Sequence, residues 1–320
     1  MSEKPYLHER DDFVELILIV SEELGRPQAL VEKDYWVTHT LWSLHQKGFT
    51  VLFKGGTSLS KGYGVIERFS EDLDIKLESE DLPSVDWKRE TKLHRRARAK
   101  FFDTLKDQLS VPGAEVSELD ELRDSKSRNA TFAVNYPGNF TERLPETMRP
   151  FVQIEVGSAR VDPGAMRLIS SWIHDFVWKN NPDLAKEHAD NRPEIHCVYP
   201  RVTLLEKIEA IARAFDKVNK AATTFVRHYE DALRIILSES LDPSELSKLL
   251  AEMKETGDIT DWPLPSNEAF QPSDSARWRE IEKAWQAIGS MFWGERYHLD
   301  RCTESIRRLL VAMEDQENND

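Results

Sequence analysis

The sequence predicts an α+β protein built as two lobes. Three observations lead there: two helical patterns open the chain, short β-branched and aromatic runs cluster between residues 49 and 156, and strand signals become scarce beyond about residue 200. With 320 residues the chain can bury the core of one large domain or of two ordinary ones. Residues 1–200, opening on the two helices, are taken as the first lobe and residues 201–320 as a helical second lobe.

Phe13, Leu16, Ile17, Ile19 and Val20 recur at helical spacing within residues 10–24, and Ala29, Leu30, Trp36, Val37, Leu41 and Leu44 do so within 28–46. The run Phe49–Phe53 then reads as a strand that stops at Gly55-Gly56, with a short helix expected over 57–66. A second strand is expected over Leu73–Leu77, where apolar Leu73, Ile75 and Leu77 alternate with Asp72, Asp74 and Lys76. Trp87–Leu109 reads as a strongly basic helix. The polar stretch after it, with Pro112-Gly113, reads as a mobile loop. Strands over Thr131–Tyr136 and Phe151–Val156 complete a small mixed sheet. Helices are then expected over Thr203–Phe215, Phe225–Leu237, Pro243–Lys254, Arg277–Met291 and Arg301–Met313, with residues 256–276 as a long connection and 316–320 as a frayed tail.

A formal net charge of −14 argues against broad, non-specific coating of nucleic acid, although a local basic groove remains compatible with it. No apolar run approaches the roughly 18 residues that cross a bilayer, and the start lacks the basic-then-apolar order of a secretion signal. A cytoplasmic protein without membrane partners is expected. Cys197 and Cys302 have no ligand partners at metal spacing, so they read as buried or incidental thiols.

Chemistry concentrates in two short stretches. After the first strand, Gly55 and Gly56 let backbone approach a ligand closely, and the start of a helix offers amide donors to phosphate. Thr57 and Ser58 add hydroxyls, while Lys54 or Lys61 can supply charge. The same residues also make an ordinary turn, and the P-loop spacing is missing. In the second stretch, Asp72 and Asp74 leave one face of a strand together. Such a pair is repulsive unless a cation such as Mg²⁺ neutralises it, and two-metal phosphoryl chemistry uses carboxylates in this way. Glu155, on the outward face of its strand together with Gln153, can supply a third carboxylate or a base. Ordinary half-buried strands produce the same alternation.

These residues resemble the AbiEii/AbiGii-type nucleotidyltransferase toxins, a branch of the DNA polymerase β-like superfamily. The resemblance runs through Val31-Glu-Lys-Asp-Tyr-Trp-Val37, Phe53-Lys-Gly-Gly-Thr-Ser-Leu-Ser-Lys61, Arg68-Phe-Ser-Glu-Asp-Leu-Asp-Ile75, Thr203-Leu-Leu-Glu-Lys-Ile208 and Arg227-His-Tyr-Glu-Asp-Ala-Leu233. It implies a polymerase-β-like nucleotidyltransferase core followed by a helical lobe. It also implies phosphate contacts at Gly56 and Thr57, magnesium on Asp72 and Asp74, Lys207 reaching a triphosphate, and Asp231 as a further catalytic carboxylate. Read without the resemblance, Lys207 is a helix-rim lysine and Asp231 a partner for Arg227 at i,i+4. The chain departs from the family pattern at His228-Tyr229-Glu230 and in the loop holding Gly62-Tyr-Gly64.

The function implied is transfer of a nucleoside monophosphate from NTP·Mg²⁺ to an RNA, with a tRNA 3′ end as acceptor. Such an enzyme would act as the toxin of a toxin–antitoxin or phage-defence pair with a cognate antitoxin. The basic run Lys88, Arg89, Lys92, Arg95, Arg96, Arg98 and Lys100 is the candidate RNA contact, with Arg89, Lys92, Arg95 and Arg96 foremost; a solvated helix face is the plain alternative. Two rivals remain: nucleotidylation of a protein or small molecule, and a non-catalytic nucleotide-binding module.

Overall fold

A computed structural model describes residues 4–146, 148–158, 160–190, 192–217 and 222–317. The last three residues of the expected tail lie outside these. The chain forms two compact units, one made of residues up to Gly62 together with Ser70–Cys197, the other of Tyr63–Phe69 together with the chain from Val198 onward.

The first unit is built on a seven-stranded mixed sheet comprising β1 (Thr50–Lys54), β2 (Asp72–Glu78), β3 (Glu115–Glu118), β4 (Asn129–Asn135), β5 (Val152–Gly157), β6 (Gly164–Leu168) and β7 (Glu194–Val198). Their order across the sheet is β3-β4-β5-β2-β1-β7-β6. The sheet is larger than expected. Residues 110–130, expected to be a mobile loop, contain β3, which is paired antiparallel to β4 with Val116 opposite Val134. An edge strand needs only one row of partners and can therefore be polar, which is why its sequence reads as a loop.

Helices α1 (Phe13–Leu24), α2 (Gln28–Gln46), α3 (Gly55–Lys61), α4 (Lys92–Gln108), α5 (Trp172–Asn180) and α6 (Pro182–Lys186) accompany the sheet. The expected amphipathic α2 is instead buried all round, from Ala29 to Leu44. Its charged residues survive burial because each is paired. Glu32 accepts from the backbone N–H groups of Asn139 and Phe140, at 2.7 and 2.9 Å. Lys33 is salt-bridged to Glu71. Asp34 pairs with Lys61 at 2.6 Å and accepts from the Trp172 N–H at 2.8 Å. Tyr35 donates to Asp190. One helix thus fixes five separate segments of the unit.

The second unit is helical: α7 (Pro200–Phe215), α8 (Ala222–Phe225), α9 (Arg227–Ser238), α10 (Pro243–Thr256), α11 (Ala276–Ala287) and α12 (Leu299–Glu317). Within the connection between α10 and α11, Ile259 and Phe270 are buried, and a short 3₁₀ turn spans Glu268–Phe270. Among the described residues, no helix is long and apolar enough to cross a membrane.

Candidate active site

The first strand and the glycines that end it determine the site's floor. Gly55 adopts φ +76, where a side chain would be strained, and a β-carbon there would lie 2.0 Å from Oδ2 of Asp74. The backbone of the glycine turn is therefore in direct contact with one of the two aspartates. Gly56 and Thr57 are buried in the first turn of α3. The Thr57 hydroxyl donates to the Asp72 carbonyl at 2.6 Å and so anchors α3 to the start of β2. Ser58 is also buried, close to Cys197, whose thiol is pushed up to about 11 chiefly by burial. The two hydroxyls expected to face a phosphate thus face the protein.

Along β2 the expected alternation is present, with Leu73, Ile75 and Leu77 buried and Asp72, Asp74 and Lys76 partly exposed. The neighbouring strand brings the third carboxylate. β5 runs parallel to β2 in a register that sets Asp72 beside Gln153 and Asp74 beside Glu155. Adjacent strands lie about 4.8 Å apart, and residues at one level of a parallel pair share a face. Lys54 stands on the other side of Asp74, on β1. A cleft of about 470 Å³ opens on this face, lined among others by Lys54, Asp74, Arg149, Gln153 and Glu155.

Two basic residues that sequence reasoning passed over organise the acidic edge. Arg149 Nη1 lies 2.9 Å from Asp72 Oδ1. Lys33, fully buried, holds Glu71, the residue before Asp72, and also donates to the Arg149 carbonyl. Burial pulls the Lys33 pKa down, with Glu71 opposing that shift. A lysine within an apolar helix was the available signal for Lys33, since only a buried partner sustains it. Arg149 sits in a loop and carries no such signal.

In the second unit, Lys207 and Asp231 do meet. Asp231 is bound bidentately by Arg68, whose Nε and Nη2 each lie 2.8 Å from a carboxylate oxygen, and Lys207 Nζ lies 2.8 Å from Oδ2. Lys207 is buried, not on a helix rim, and Asp231 is held by Arg68 and Lys207. Burial alone would raise the Asp231 pKa; the two cations outweigh it and hold the carboxyl well below its usual range. Half-buried His228 stands 3.2 Å from Lys207 Nζ, and burial together with that charge brings its pKa down to about 3. The preceding residue of the motif, Glu230, is paired with Arg234 at 3.0 Å and Arg296 at 3.2 Å.

The expected basic face is only partly helical. α4 starts at Lys92, so Lys88 and Arg89 precede it, their backbone N–H groups donating to Asp86. Arg95 lies 3.4 Å from Glu90. Arg98 is buried and donates to the carbonyls of Asp86, Arg89 and Lys126, which makes it a loop clamp rather than a surface contact.

A mixed sheet presenting carboxylates beside a glycine turn is an arrangement suited to phosphoryl chemistry, and comparison with family models identifies the class as nucleotidyltransferase. The matching family is the nucleotidyl transferase AbiEii toxin of type IV toxin–antitoxin systems, over residues 41–296. The chain belongs to that family. Comparison with curated proteins returns no match.

Proposed function

We propose that this chain transfers a nucleoside monophosphate from an NTP to an RNA acceptor, a tRNA 3′ end, releasing pyrophosphate and acting as the toxin of its pair, with an antitoxin as partner. The first unit is read as the polymerase-β-like core. The observation that carries the reading is the register placing Asp74 beside Glu155, with the Gly55 backbone packed on Asp74. Three carboxylates on one sheet face repel one another, so the set fits divalent cations.

In this reading Asp72, Asp74 and Glu155 hold Mg²⁺. When bound, the metal lowers the cost of forming the attacking oxyanion and screens the triphosphate. The backbone of Gly55 and Gly56 admits the phosphates, and Lys54 supplies positive charge from the next strand. Arg149, now on Asp72, is the cation available to a phosphate once that carboxylate binds metal. Asp231 serves by holding Lys207 in place, since its oxygens already carry Arg68 and Lys207. Arg89, Lys92, Arg95 and Arg96 supply phosphate contacts to the RNA.

The test is incubation with each labelled NTP, Mg²⁺ and total cellular RNA or protein, together with sequencing of RNA 3′ ends after induced expression. RNA labelling that disappears in Asp72→Ala/Asp74→Ala is expected. Labelling confined to protein or metabolites would move the acceptor to another class, and unchanged toxicity of the folded double variant would favour a non-catalytic module.

A further inference from the structure

The first unit holds a second polar cluster, built from none of the residues placed in the candidate active site. Asp190 lies in the connection between α6 and β7 and is almost completely buried. Its Oδ1 accepts from the Leu7 N–H at 2.9 Å, and its Oδ2 accepts from the Tyr35 hydroxyl. Two imidazoles face the same Oδ2: His39 Nδ1 at 3.3 Å and His174 Nε2 at 3.8 Å. Both rings are buried, and neither of these nitrogens has a hydrogen-bond partner. Buried polar atoms are rarely left in this state, and two aimed at one carboxylate oxygen call for a common cause.

The other nitrogen of His39 indicates which cause. His39 Nε2 lies 3.0 Å from the Pro112 carbonyl oxygen, which only accepts, so Nε2 carries the proton. In the neutral ring Nδ1 is then a lone pair directed at a carboxylate oxygen, which is repulsive unless a cation, a proton or a metal ion, lies between them. A metal-bound imidazole usually donates its other N–H to a backbone carbonyl or carboxylate, as His39 Nε2 does to Pro112. The spacing agrees. Ligand atoms about 2.0–2.1 Å from a tetrahedral ion lie about 3.3 Å from each other, the separation found between His39 Nδ1 and Asp190 Oδ2. His8, on the short turn Leu7–Glu9, adds a third donor, and the ligand atoms of His8, His39 and Asp190 all lie within 4.8 Å of one another.

We propose that His8, His39 and Asp190, with His174 beside them, bind a transition-metal ion of the Zn²⁺ class. Two imidazoles and a carboxylate are a borderline donor set that favours Zn²⁺ over Mg²⁺, which takes oxygen ligands and retains water. Its role is structural. The ion would join the turn at His8 to α2 and to the segment before β7, a junction already lined by Tyr6 and Trp42, whose rings both lie edge-on or stacked against His39. His8 is only partly buried and offers the way in.

The full-length protein, stripped with chelator, is titrated with Zn²⁺ by calorimetry and with Co²⁺ by visible absorption. One equivalent is expected to bind at this site, besides any ion taken by Asp72, Asp74 and Glu155, with the intense ligand-field bands of tetrahedral Co²⁺ and a rise in melting temperature. His39→Gln and His8→Gln should each weaken binding by at least about 10- to 100-fold, the range for losing only an outer-shell partner of a ligand; His8→Gln, at a half-buried position, guards against loss of fold. Asp74→Asn should leave the Co²⁺ spectrum unchanged. Absence of tetrahedral Co²⁺ bands in the folded protein, or bands that vanish with Asp74→Asn and persist in His8→Gln, would overturn the proposal.

Discussion

Gly55 and Asp74 occupy space that admits no side chain between them: a β-carbon on the glycine would stand 2.0 Å from the aspartate Oδ2. Gly55→Ala should therefore move Asp74 as well as strain a backbone at φ +76. The strain costs about 1–2 kcal/mol, while an ångström of misplacement at a reacting centre costs roughly 100-fold in rate. Gly48→Ala is the control, with φ +84 and nothing within 4 Å of the added carbon. Urea midpoints should fall similarly in both variants, and nucleotide transfer should collapse only in Gly55→Ala. Equal activity of the two would remove Asp74 from the reaction.

Arg149 competes for Asp72 with any ion that Asp72 binds. The pair is partly solvated, with the arginine side chain 43% and the aspartate 19% exposed, and such pairs contribute about 0.2–1 kcal/mol. Arg149→Ala should thus tighten Mn²⁺ binding about two- to five-fold while weakening NTP binding. Paramagnetic titration of Mn²⁺ with and without NTP reads both effects. Unchanged Mn²⁺ affinity would mean that Asp72 does not bind the ion.

Asp231→Asn leaves Arg68 and Lys207 buried beside a neutral amide. Removing one partner of a buried ion pair costs about 3–5 kcal/mol, so the urea midpoint should drop substantially along with activity. Loss of activity with an unchanged midpoint would assign Asp231 a direct catalytic role in place of holding Lys207.

Acid should destabilise the protein through the same cluster. His228 is held neutral to about pH 3, whereas in the unfolded chain it takes up a proton near pH 6.5. Between those values the unfolded state binds more protons, so this contribution is complete above about pH 6.5 and declines as the pH falls. Asp231, its pKa also depressed, adds to the loss below about pH 4. Chemical denaturation at pH 8, 6 and 4.5 should give a shallower decline for His228→Gln than for the unaltered protein; parallel declines would exclude His228 from the effect.

What the sequence determined by itself was local. A two-residue alternation sends Asp72 and Asp74 to one face wherever their strand lies, paired glycines end β1, and periodic apolar residues specify the helices of both units. Edge strands were illegible because β3 and β6 need little apolar surface. Tertiary structure alone decided the partners. Glu155 became a neighbour of Asp74 only through the parallel register of β2 and β5, and Asp231 received Arg68 from 163 positions away. The charges of α2 were similarly unreadable, since Glu32 finds Asn139 across 107 positions and Lys33 finds Glu71 across 38. A buried charge is tolerable only with its partner, and no periodicity in the chain records where that partner will be.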